Sequence, residues 1–122
     1  MAMYGLVNTM FISLNNMQPI QNVTIDGDQL ENFELQIHAA FVIEDGMKPT
    51  IQYYINNQLE IEQVYDLRDS YKIGLHKRGF MVHITSAFKV LEKNSEKTFK
   101  INLIDSETHD IVDTKQTMFF TS

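Results

Sequence analysis

Four histidines, six serines and sixteen carboxylates are the side chains with which this chain could do chemistry, and it has no cysteine. Histidines bind metal when two or three converge, and the commonest sequence signs are i, i+2 or i, i+4 spacing or a cysteine pair completing a zinc set. His38, His76, His83 and His109 show neither sign. His38 and His83 fall on the outward phase of strand-like runs and would meet only if those runs were neighbours in a sheet. No metal is predicted.

A nucleophilic serine needs a base within hydrogen-bond reach and a group that orients the base. No serine sits in an elbow motif, and spacing pairs none with a histidine. The carboxylates of "DSETHD" (105–110) and "DGDQLE" (26–31) lack the ligand spacing and central glycine of a calcium loop, and they read as turn chemistry. A glycosidase carboxylate pair is defined by spatial separation, which spacing along a chain does not reveal. A chain of 122 residues with five glycines leaves little loop material for a cleft. A non-enzymatic protein without a cofactor is expected.

"YKIGLHKRGF" (71–80) is the most suggestive stretch. Its glycines would let backbone approach an anion, and His76, Lys77 and Arg78 would supply charge and donors. The P-loop spacing is missing and no helical pattern follows. The glycines are expected to turn the chain into the next strand, leaving His76, Lys77 and Arg78 as candidate contacts for an acidic partner.

The elements that would carry these residues are strands. In "FELQIHAAFVIE" Phe33, Leu35, Ile37, Ala39, Phe41 and Ile43 share one phase, while Glu34, Gln36, His38 and Glu44 share the other. "FMVHITSAFKV" places Phe80, Val82, Ile84, Phe88 and Val90 against His83, Thr85 and Lys89. "TFKINLI" repeats the pattern, and β-branched and aromatic residues support it. Turn signals recur between the runs, among them Asp26-Gly27, Asp45-Gly46, Asn56-Asn57 and Asn94-Ser95. "QLEIEQVYDLRD" alternates and reads as strand. At Asn56-Asn57 a two-residue loop would set the apolar side of one strand beside Glu60 and Glu62. A three-residue loop, Asn56 to Gln58, is therefore expected, pairing Tyr53 with Ile61.

About seven to nine short strands predict a single all-β domain over residues 1–122, an antiparallel β-sandwich of immunoglobulin-like architecture. A small closed barrel is the second choice. The Cys…Trp…Cys signature is absent, since neither residue type occurs.

Net charge is −6, unevenly placed: residues 1–67 hold nine acids and one base, whereas residues 68–100 hold eight bases and three acids. Cross-strand pairing explains such segregation more simply than a nucleic-acid surface, which needs many bases facing one way. No leader, cleavage site or membrane span is read, and a cytoplasmic home is expected. The Asn-, Ile- and Lys-rich composition fits an AT-rich source such as a phage or mobile element.

Tyr54 and Met81 fall in the phase opposite their strands' apolar sets, so a covering loop or partner is expected over each. The resulting expectation is a module that binds another macromolecule, including a second copy of itself. The alternatives are a small-ligand site in an internal pocket, and anion or nucleic-acid contact through residues 68–100.

Overall fold

A computed structural model describes residues 3–122. Nine strands account for nearly all regular structure: β1 Gly5–Ser13, β2 Asn22–Val23, β3 Gln29–Glu44, β4 Pro49–Ile55, β5 Gln58–Val64, β6 Tyr71–Ile73, β7 Lys77–Glu92, β8 Glu96–Asp105 and β9 Ile111–Thr121. The exception is a single 3₁₀ turn, Leu67–Asp69. Among the described residues no helix is long and apolar enough to cross a membrane.

The strands form two open sheets, ordered β1-β3-β7-β6 and β2-β9-β8-β4-β5, so the closed-barrel alternative falls. Lettered as in immunoglobulin domains, the first sheet reads A-B-E-D, and the second reads G-F-C with an added C′, β2 lying parallel to β9. This is a statement about fold only, since such sandwiches carry many unrelated functions. Tyr53, buried on the strand where antibody domains place their tryptophan, donates or accepts a 2.7 Å hydrogen bond with the Ser86 hydroxyl of the facing sheet. Burial, the larger effect, holds its phenol well above the ordinary value, against the opposing Ser86 hydrogen bond.

The predicted alternation is realised between the sheets. Leu35, Ile37, Phe41, Phe80, Phe99, Ile101 and Leu103 are almost fully buried in one core. Phe80 lies between two rings, with centroids 4.8 Å from Phe41 and 4.5 Å from Tyr65.

The Asn56-Asn57 turn differs from the three-residue loop expected. Ile55 pairs with Gln58 across a two-residue turn, with φ of 49° and 66° at the asparagines. That is the left-handed pair a type I′ turn requires, and asparagine tolerates it best among non-glycine residues. A register shift one step later, between Tyr53 and Tyr54, leaves Glu60 as the extra residue and restores the Tyr53–Ile61 pair. Hydrophobic register does prevail, through a bulge and not through loop length.

One side of the sandwich is stitched shut. The Val7 amide donates to Asp113 (2.6 Å), and the Met3 amide donates to the buried Asp105 carboxylate (3.0 Å). Backbone donors to Asp105, Met3 foremost and then Glu107 and Thr108, hold its carboxyl below the ordinary value of 3.8 despite the opposing effect of burial. The unfolded chain thus takes up the proton more readily than the folded one. Asp105 adds stability above pH 3.8, and that contribution is lost as pH falls below it. Urea midpoints followed from pH 5 down to pH 2.5 should decline more steeply in the wild type than in Asp105→Asn; equal slopes would refute this assignment.

Candidate edge groove and histidine pair

The opposite side of the sandwich is open. β6 pairs with β7 only at Lys77–Gly79, so from Met81 onward β7 has β3 on one flank and, among the described residues, no strand on the other. β5 ends the second sheet and is exposed along its whole length. Between these two edges runs a groove of about 460 Å³, floored by Ile51, Ile61, Val82 and Ile84 and walled by Tyr65 and the β7 backbone. It continues into a smaller hollow of about 200 Å³ that reaches Glu60 and Ala87.

The Tyr65 hydroxyl fixes the polarity of this edge, because it donates to the Met81 carbonyl (3.0 Å). A strand residue directs its N–H and C=O to the same flank, and the flank alternates with each residue. Met81, His83, Thr85, Ala87 and Lys89 therefore turn their backbone groups outward, while the residues between them bond to β3. With the Met81 carbonyl taken by Tyr65, the free edge from His83 to Lys89 spans roughly 20 Å at about 3.4 Å per residue. Burial, and then Asp69 and Asp66, push the Tyr65 phenol up, so it remains a donor through the neutral range.

The register of β3 and β7 sets His38 directly opposite His83. Their Nδ1 atoms are 2.6 Å apart, and His38 Nε2 is 2.7 Å from Ser13 Oγ. Phe11 stacks on the His38 ring at 4.7 Å. Burial first, and His83 second, hold His38 below its ordinary value, which keeps it neutral at pH 7. The Ser–His–His chain has the connectivity of a nucleophile relay. Ser13, however, has no exposed surface, so no substrate carbonyl can reach its oxygen in this state. Sequence spacing missed the trio because its members lie on three strands whose adjacency is a tertiary fact.

The remaining predicted contacts are dispersed. His76 alone of the basic trio is in the turn, while Lys77 and Arg78 belong to β7. Arg78 is engaged within the chain, its Nε donating to Ser70 Oγ (2.9 Å) and its Nη1 lying 3.8 Å from Asp45. Lys77 sits over the Tyr4 ring at 4.7 Å. Of the two glycines, Gly74 turns the chain, with a φ of 65°, but Gly79 does not. A Cβ there would come 2.7 Å from the Tyr71 ring, so Gly79 is what lets the short β6 lie across β7.

Met81 is on the outer face of the first sheet, beside the free edge and the histidine pair. Tyr54 faces outward from the second sheet, under Lys100 at 4.4 Å. The two do not share a surface. Six of the eight bases of residues 68–100 are likewise divided between β6 and β7 in one sheet and β8 in the other, while Arg68 and Lys93 lie outside the strands.

Comparison of the chain with protein-family models, with curated proteins and with solved structures finds no match.

Proposed function

We propose that this protein is a binding module that takes up an extended segment of a partner polypeptide along the free edge of β7. The observation that carries the reading is the row of outward backbone groups from Met81 to Lys89, set beside an apolar groove. Strand addition draws affinity from main-chain hydrogen bonds and selectivity from pockets under alternate side chains. The groove floor asks for apolar side chains at every second position of the guest. Glu60, at the far end, favours a lysine or arginine there.

Among the described residues Glu60 is the one Asp, Glu, Lys or Arg lining the groove and its extension, and Arg78 is already engaged. An acidic partner at the basic turn is therefore the weaker version of the binding hypothesis. Pairing of two β7 edges into a homodimer uses the same surface and is an outcome of the same test.

The test is selection from a displayed library of random eight-residue peptides, followed by amide exchange of the complex. In the free protein the amides of His83, Thr85 and Ala87 should exchange fast, while Val82, Ile84 and Ser86 should be slow. Bound peptide should slow the first set alone and show alternating apolar residues. Protection elsewhere, or no selectable peptide, would refute the reading; protection that appears with protein concentration alone would indicate the homodimer.

A further inference from the structure

We propose that His38 and His83 form a two-imidazole chelate for a late divalent transition metal, copper(II) first and nickel(II) or zinc(II) more weakly. Three features of the pair support this, and none requires a bound peptide.

The first is spacing. Two nitrogens bound about 2.0–2.1 Å from one metal lie roughly 2.9 Å apart at a right angle and about 3.3 Å apart at the tetrahedral angle. The Nδ1 atoms already stand 2.6 Å apart. A separation of a few tenths of an ångström accommodates the square or tetragonal geometry that copper(II) and nickel(II) prefer.

The second is the tautomer. A chelate through both Nδ1 atoms requires the proton of His38 to reside on Nε2, and Ser13 Oγ at 2.7 Å is an acceptor for it. Such outer hydrogen bonds orient ligating imidazoles and raise their basicity. Phe11 stacked on the ring fixes its plane.

The third is access. His83 is exposed and lies on the wall of the open groove, so its ring can swing to admit an ion while His38 stays anchored. The register puts Gln36 opposite Thr85 one pair further along on the same face, leaving side-chain oxygens and water to complete the coordination. Among the described residues no set of three His, Cys, Asp or Glu side chains converges. The site is therefore open, with two protein nitrogens and free positions for water or another ligand.

The experiment is titration of untagged, metal-free protein with copper(II), and separately with nickel(II), by calorimetry in a non-chelating buffer. One ion per chain is expected, with His83→Ala weakening binding at least tenfold. His76→Ala and His109→Ala, which alter the exposed turn histidines, should leave it unchanged. Because His83 is exposed, its substitution spares the core, and a preserved urea midpoint will confirm that. As a second readout, copper(II) should broaden amide signals centred on residues 38 and 83. Undiminished binding by His83→Ala would overturn the proposal. So would broadening centred on His76, His109 or the amino terminus, or binding no tighter than millimolar.

Discussion

Ala87→Pro should abolish capture of an extended peptide while leaving the sandwich folded, and Ser86→Pro should unfold it. The two positions are adjacent and differ in which flank their backbone addresses. Ala87 turns its N–H toward the free edge, where proline is tolerated because no ladder bond is removed. Its predecessor is already extended, as the residue before proline must be. The expected cost is below about 2 kcal/mol, within the range of ordinary single substitutions.

Ser86 turns its N–H into the β3 ladder opposite Leu35, and its hydroxyl is the hydrogen-bond partner of buried Tyr53. Proline there removes the ladder bond, at about 3 kcal/mol or more. It also strands the Tyr53 hydroxyl, at about 1–3 kcal/mol. Together these approach the whole stability of a small domain, about 5–15 kcal/mol. Urea melts and peptide binding by the two variants check both halves of the prediction. Retained binding by Ala87→Pro, or stability of Ser86→Pro equal to or above that of Ala87→Pro, would refute this assignment of the flanks.

Phe80→Ala should cost about 3–5 kcal/mol, the usual range for emptying a buried aromatic site. The loss reaches beyond volume, because the Phe80 ring is the middle member of the stack Phe41–Phe80–Tyr65. Its removal deletes both ring contacts, each worth roughly 0.5–1.5 kcal/mol. It also frees Tyr65 to leave the Met81 carbonyl. Phe80→Leu, which refills most of the space, should recover at least half of the lost stability without restoring the stack. Chemical denaturation measures the first effect. Exposure of Tyr65 to solvent, followed by its fluorescence or ring proton shifts, measures the second; an unmoved Tyr65 in Phe80→Ala would refute the coupling.

Much of this architecture was legible in the sequence. The alternation in residues 33–43 and 80–90 follows from one face of each strand meeting a core, and those runs became the long central ladder of the first sheet. Period-two patterning assigns a side chain to a face but not to a sheet. Tyr54 and Met81, both off-phase, therefore looked alike and proved to lie on opposite surfaces. The pairing of His38 with His83 depends on which strands become neighbours, and no local pattern carries that information. At Asn56-Asn57 the competing demands of turn chemistry and hydrophobic register were both visible. What could not be seen was that a bulge at Glu60 would satisfy both. Lys77 and Arg78 looked like loop residues because charge is common in turns, yet they sit at the first two positions of β7.

The order in which these pairings can form follows from the β3–β7 ladder. Gln29 must find Glu92 and Glu44 must find Lys77, with β4, β5 and β6 lying between them in the chain. Hairpins joined by short turns, β4–β5 at Asn56-Asn57 and β8–β9 across residues 106–110, close small loops and can appear within about microseconds. The central ladder closes a large loop, which costs chain entropy before its contacts repay it. The β4–β5 and β8–β9 hairpins should thus form first, whereas the β4–β8 pairing that joins them, from Ile55–Phe99 outward, must wait like the β3–β7 ladder for distant parts of the chain to meet. The histidine pair and the open edge, both products of the β3–β7 encounter, should therefore come into being only after the two hairpins.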